Sequence, residues 1–154
     1  MINIGDKVAD FCLPNQDEEE ICWRDIKGRW VVLYFYPKDN TPGCTTEACE
    51  FTEALPDFES LNAIVLGVSP DSPLKHRNFI AKKELKITLL ADEEKELCKA
   101  FGVWQQKKNF GKEYMGVVRS TFLIDPDGTV AQKWEKVRVK GHVEAVQQKL
   151  QELI

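Results

Sequence analysis

The run Trp30-Val31-Val32-Leu33-Tyr34-Phe35-Tyr36 constrains this chain more than any other stretch. It is continuous, apolar and of strand length, which predicts a central strand buried on both faces. A second run of the same kind, Ala63–Ser69, follows. Between them a helix opening near Pro42 places Ala48, Phe51, Leu55 and Phe58 on one face, the face it must bury. Pro56 should kink or end that helix, because it removes a backbone donor and its ring clashes with the preceding turn.

The remaining elements extend this pattern. Residues 8–14 and 20–23 read as two short strands around a turn centred on Asp17, which sets Cys12 opposite Cys22. A disulfide is conceivable there, but the two cysteines are read as small residues packed under a hairpin. Past the second buried strand come a helix from Pro73 to about Glu84, a short strand at Thr88–Ala91 and a helix from Glu93 to Phe101. Cys98 lies beside the Leu97/Phe101 stripe of that helix and reads as a semi-buried structural thiol. Residues 104–118, rich in Lys, Gly and Gln, read as a loop or irregular edge. Ser120–Asp125 and Val130–Val137 flank Pro126-Asp127-Gly128, a hairpin turn, and an amphipathic helix through Val143, Val146 and Leu150 closes the chain. Strands alternating with helices, then a hairpin and a helix, give an α/β fold: a mixed central sheet with helices on both faces and an N-terminal β-hairpin. With 154 residues and no visible linker or repeat, residues 1–154 are expected to form one domain.

Charge excludes some functions. A formal net charge of -4 offers no attraction to nucleic acid or anionic lipid. The Lys/Arg clusters at 82–86 and 107–112 read as solvated faces. No stretch has the length of a membrane span, and the N-terminal residues lack the basic and apolar regions of a signal peptide. Five cysteines at untidy spacings fit a reducing cytoplasm with reactive thiols better than a framework of structural disulfides.

The chemistry gathers where the first apolar run ends. In Tyr36-Pro37-Lys38-Asp39-Asn40-Thr41-Pro42-Gly43-Cys44, Thr41 is placed to be the N-cap of the helix, Pro42 its N1 residue, Gly43 N2 and Cys44 N3. A capping box would hold Glu or Gln at N3. Here a thiol sits against free N–H groups and the positive end of the helix dipole, a setting that favours thiolate and nucleophilic chemistry. Arg119, just before the strand Ser120–Asp125, is the candidate cation to complete the activation. Cys49 follows Cys44 by five residues. On an ideal helix that spacing separates the Cα atoms by ~8–9 Å, whereas a disulfide needs less than about 7 Å. A bond between them therefore requires the first turns to unwind.

Other cysteine chemistry fits less well. A lone C-x₄-C is not the paired arrangement of structural zinc, and no metal is expected. His76 and His142 read as surface or helix-end residues rather than catalytic ones. A dithiol–disulfide oxidoreductase acting on proteins is disfavoured by the missing C-x-x-C. A redox sensor or thiol-controlled binding module would use the same residues as an enzyme, and only turnover separates the two.

Pro37-x-x-x-Thr41-x-x-Cys44 resembles the P-x-x-x-T-x-x-C signature of peroxiredoxins. The longer stretch from Phe35 to Cys49 is similar to the Q-type subfamily, the bacterioferritin comigratory proteins. The blocks Lys112–Asp125 and Lys136–His142 resemble later parts of the same subfamily. The resemblance implies a thioredoxin-like fold and a peroxidase that needs no metal, haem or flavin. Cys44 would be the peroxidatic cysteine, Cys49 the resolving cysteine, and Arg119 the stabiliser of the thiolate and of charge developing across the O–O bond. Thr41 would hydrogen-bond peroxide and thiolate, Pro37 would shield the site from water, and Glu47 would buttress it. The partners implied are hydrogen peroxide or an organic hydroperoxide and a thioredoxin-like reductant. The protein would act in the cytoplasm as a monomer, with a weak dimer as the alternative.

Overall fold

A computed structural model describes residues 1–154. The chain begins with a hairpin of β1 (Cys12–Pro14) and β2 (Glu20–Cys22), followed by the single-turn helix α1 (Trp23–Ile26). The two apolar runs are strands β3 (Trp30–Phe35) and β4 (Ala63–Ser69), joined through helix α2 (Pro42–Ser60). Helix α3 (Pro73–Lys83), strand β5 (Thr88–Ala91) and helix α4 (Glu96–Ala100) follow. Then come β6 (Trp104–Asn109), β7 (Lys112–Val117), β8 (Ser120–Ile124), β9 (Val130–Trp134) and helix α5 (His142–Leu153).

The central sheet has the order β5-β4-β3-β8-β9. β3 is parallel to β4 and β4 to β5, while β8 runs antiparallel to both β3 and β9. The mixed sheet follows from the connections: helical crossovers return parallel strands, and the Pro126-Asp127-Gly128 turn can only return an antiparallel one. In that turn Gly128 has φ +83°, and the Asp125 carboxylate accepts from the backbone N–H of Asp127 and Thr129.

Because side chains alternate across a strand, β3 feeds two cores. Val32 and Tyr34, with Tyr36 just beyond the strand, meet Ala48, Phe51 and Phe58 of α2, Phe79 of α3 and Val143, Val146 and Leu150 of α5. Val31, Leu33 and Phe35 meet Trp23 of α1, Leu97 of α4, Phe101 and Phe122 on the other face. The expected two-faced α/β arrangement and N-terminal hairpin are both present.

Four expectations need correction. Of the two outcomes expected at Pro56, a kink or an end, the second does not occur: helix α2 continues to Ser60. Pro56 is solvent-exposed, so water can serve the orphaned carbonyl, and burial of Phe51 and Phe58 on either side outweighs the ~3 kcal/mol cost of proline. Residues 104–118 are largely a two-stranded hairpin, β6–β7, closed by Phe110-Gly111, both at positive φ. Cys12 and Cys22 are joined by a disulfide. The β1–β2 register sets them directly opposite one another, and adjacent antiparallel strands bring such a pair within bonding reach. Cys98 is fully buried rather than half-buried, and burial, followed by the nearby Asp92 carboxylate, pushes its thiol pKa far up.

Candidate active site

Central strand β3 ends at Phe35, and the segment from Tyr36 to Asn40 leads from its C-terminal end towards α2. Thr41 adopts extended backbone (φ -102°, ψ 155°) and stands at the N-cap, with Pro42, Gly43 and Cys44 as the first three helical residues. The side chain of Thr41 does not cap the helix. Its hydroxyl donates instead to the carbonyl of Lys38 at 2.9 Å. Pro42 has no N–H, and that of Thr45 is taken by the Thr41 carbonyl. The donors left at the helix mouth are therefore the N–H groups of Gly43 and Cys44.

Cys44 is a free thiol, 2% exposed, at the edge of the first core. Arg119 Nη2 donates to Cys44 Sγ at 3.1 Å, and Nη1 of the same guanidinium donates to Glu47 Oε1 at 2.6 Å. Glu47 lies one turn beyond Cys44 and has no exposed surface. Its second oxygen, Oε2, has no hydrogen-bond partner. Burial pushes the Glu47 carboxyl up to about 7, partly countered by Arg119. Burial works against the Arg119 charge as well, but Glu47 and Cys44 outweigh it and the guanidinium is held more firmly protonated than usual. The result is a fixed cation whose one edge is anchored by a carboxylate and whose other edge faces sulfur.

Gly43 matters for the same reason. A Cβ on this residue would sit 3.2 Å from Arg119 Nη2, so the absent side chain is what lets the guanidinium approach. Pro37 and Arg119 line one side of an open cleft of about 620 Å³, with Lys107, Lys108, Val118 and Lys136 among the other walls.

The expected site residues thus divide. Cys44, Arg119 and Glu47 are in direct contact, and Pro37 borders the cleft that reaches Arg119. Thr41 flanks the group with its hydroxyl proton committed to Lys38. Cys49 is a free, partly buried thiol further along the unbroken α2 and is not bonded to Cys44.

Both histidines are buried, against expectation. His142 does open a helix, but its Nε2 pairs with the Thr121 hydroxyl at 2.7 Å, and burial, then Arg119, lowers its pKa to about 4. His76 belongs to a network under the segment from Tyr36 to Asn40. Its Nδ1 is 2.6 Å from Asp39 Oδ2, and its Nε2 faces the Leu90 carbonyl at 2.9 Å, which requires a hydrogen on Nε2. Tyr36 donates to Asp39 Oδ1 at 2.5 Å, and the Asp39 N–H donates to Asp71 at 2.6 Å. Residues 36–39 are therefore tied to β5 and α3 while α2 begins just beyond them. The signal for this network was the Tyr36/Asp39 pair flanking Pro37. Its partners come from 32 and 37 residues away and leave no local trace.

The AhpC/TSA family model matches residues 4–133. Peroxiredoxin Bcp of Bacillus subtilis is 51% identical over 152 residues, 99% of this chain and 97% of that protein. Peroxiredoxin Bcp of Escherichia coli is 39% identical over 94% of this chain and 93% of its own length. Among solved structures, a Xylella fastidiosa PrxQ superimposes with a TM-score of 0.94 at 42% identity, covering 99% of this chain and 97% of that one. The Xanthomonas campestris bacterioferritin comigratory protein, studied for alkyl peroxide reduction, gives 0.88 at 44% identity, covering 92% and 90%. Family model, whole-length relatives and superposition agree, and the chain belongs to the AhpC/TSA family, with the thioredoxin-like fold of the Bcp and Q-type peroxiredoxins.

Proposed function

We infer that this chain is a thiol-dependent peroxidase in which Cys44 is the peroxidatic and Cys49 the resolving cysteine. The observation that carries the reading is the 3.1 Å contact of Arg119 with Cys44 Sγ at the start of a helix. The sulfur, as thiolate, attacks the terminal oxygen of a hydroperoxide. The O–O bond breaks, the leaving oxygen takes a proton, and Cys44 becomes a sulfenic acid. Charge passes from sulfur to oxygen in that step, and Arg119, held in place by Glu47, lies where it stabilises both ends of the transfer. The Thr41 hydroxyl, which donates its hydrogen bond to the Lys38 carbonyl, serves as acceptor for the peroxide O–H. Pro37 keeps water from that side of the sulfur.

Cys49 then displaces hydroxide from the sulfenic acid, water leaves and a Cys44–Cys49 disulfide forms. The intact α2 holds the two residues too far apart, so this step follows unwinding of residues 44–50. A thioredoxin-like dithiol returns the pair to thiols. Both hydrogen peroxide and organic hydroperoxides are proposed as substrates, in line with the alkyl peroxide activity of the Xanthomonas relative. We place the protein in the cytoplasm, acting as a monomer of one domain over residues 1–154. No helix is long and apolar enough to cross a membrane.

Turnover tests the reading. Cys44→Ser should abolish peroxide consumption, and Cys49→Ser should react once but fail to cycle with thioredoxin. Normal cycling of Cys49→Ser would assign resolution to another thiol. Hydrogen exchange that protects residues 44–50 equally in both redox states would remove the unwinding step.

A further inference from the structure

The Cys12–Cys22 disulfide lies apart from this chemistry. Cys44 belongs to the core on one face of the sheet, whereas Phe11, Leu13 and Ile21, the neighbours of the two bonded cysteines, pack into the core on the other. The peroxidase cycle uses neither sulfur. Yet the surroundings of the pair are unequal in a way that a purely structural cross-link does not require.

Cys12 is exposed, while Cys22 is 3% exposed. Nη1 of Arg24 stands 3.6 Å from Cys12 Sγ, and the same nitrogen is held by Asp10 at 2.8 Å. On the other side, Glu20 Oε1 stands 3.6 Å from Cys22 Sγ. The Glu20 carboxylate and both sulfurs lie within 4.8 Å of one another. One sulfur is thus open and beside a cation, the other enclosed and beside a carboxylate. That is the division of labour a dithiol exchange centre needs: an accessible nucleophile favoured as thiolate, and a covered partner with a base at hand.

We propose that Cys12 and Cys22 form a second redox centre, a thiol–disulfide exchange site that accepts electrons from a dithiol. A thiolate of the dithiol attacks Cys12 Sγ, the sulfur that solvent reaches. The Cys12–Cys22 bond breaks, and Cys22 leaves with the electron pair and takes a proton from water. The second thiol of the reductant loses its proton and attacks the mixed disulfide at its own first sulfur. Cys12 departs as a thiolate beside Arg24. Two electrons have moved from the dithiol to the cysteine pair; one proton is now on Cys22, and the proton lost by the second thiol is with the solvent. In reverse, Cys12 thiolate attacks a disulfide and releases one of its sulfurs as a thiolate; Cys22, giving its proton to Glu20, then attacks Cys12 Sγ, re-forms the Cys12–Cys22 bond and releases the other sulfur. The site stands independently of the peroxidase reading, since it shares no residue with it.

The test follows the peptides containing Cys12 and Cys22 in the intact protein. Reduction is started with dithiothreitol or with a purified thioredoxin, quenched by alkylation and read by mass spectrometry. In the native protein, reduction by either probe at a rate unchanged by low urea supports the proposal. Arg24→Gln should slow reduction by dithiothreitol, and Glu20→Gln should speed it, because the leaving Cys22 thiolate no longer faces an anion. A tenfold change in the acidity of an attacking thiol changes its reactivity about threefold, and a more acidic leaving thiol leaves faster, so opposite changes of roughly that order are expected. Both are surface substitutions, and a thermal melt checks that each variant is folded. Reduction that occurs only as fast as the protein unfolds, or identical rates in all three proteins, overturns the proposal and leaves the disulfide a structural staple.

Discussion

Replacing Gly43 with alanine isolates the distance between Arg119 and Cys44. The new Cβ would lie 3.2 Å from Arg119 Nη2, close enough that the guanidinium must retreat by a few tenths of an ångström. At 3.1 Å and an effective dielectric of ~20, a cation and a thiolate attract by about 5 kcal/mol. A retreat of about 0.4 Å weakens this by ~0.6 kcal/mol, and where that attraction is made in the transition state but not by the resting, protonated thiol, it corresponds to a rate about threefold lower. Gly43 is not among the residues at positive φ, so alanine fits the helical backbone and should leave the melting temperature unchanged or raise it. The assay is the second-order rate of Cys44 oxidation by hydrogen peroxide under single-turnover conditions, paired with a thermal melt. A rate within about 1.5-fold of wild type would refute the claim that this separation controls reactivity. So would a variant whose slower rate tracks a loss of stability, because the substitution would then disturb more than the guanidinium.

Other perturbations follow from the same contacts. Arg119→Ala should lower the oxidation rate by roughly two orders of magnitude, the ~3 kcal/mol typical of a positioned electrostatic group; a loss below tenfold would show that the helix terminus suffices. Glu47 binds its proton more tightly when folded, with a pKa of about 7 against an ordinary 4.5. The folded protein therefore holds the extra proton between those values, and stability should fall as pH rises from about 4.5 through 7, by up to ~3 kcal/mol. Denaturant melts of Glu47→Gln should lack that fall, and an identical slope in both proteins would contradict the assignment. His142 has the opposite sign: its pKa drops from 6.5 to about 4 on folding. Stability is then lost as pH falls through that window, and His142→Gln should flatten the acid limb. Between about pH 4.5 and 6.5 the two effects oppose each other, so the wild-type profile should be shallower there than that of either variant.

Local rules gave much of this molecule away. The N-cap, N1 and N3 positions of Thr41, Pro42 and Cys44 follow from proline's lack of an N–H and threonine's extended backbone. The facing of Cys12 and Cys22 follows from counting outward from Asp17. Facing alone does not distinguish two packed thiols from a bonded pair, and the bond itself is visible only in the folded hairpin. Hairpin β6–β7 escaped because Gln105 to Tyr114 face mainly solvent and show no alternation of apolar and polar residues. Its turn uses Phe110-Gly111 rather than the Asn-Gly or Asp-Gly that would have signalled it. Burial of His76 was invisible for a different reason. The aspartate and carbonyl that make a buried imidazole tolerable lie 37 and 14 residues away, and only the folded sheet brings them together. The place of Gly43 beside a guanidinium 76 residues later in the chain was equally nonlocal.

Everything proposed for the site turns on the reduction of peroxide by Cys44. Stopped-flow tryptophan fluorescence of the reduced protein mixed with hydrogen peroxide tests it most directly, with Cys44→Ser measured alongside. Four tryptophans are available as reporters, and Trp30 packs against the core that α2 covers. The expected result is a fast phase whose rate rises linearly with peroxide and which is absent from Cys44→Ser. Equal, slow reaction of the two proteins, at the pace of an unactivated thiol, would contradict it.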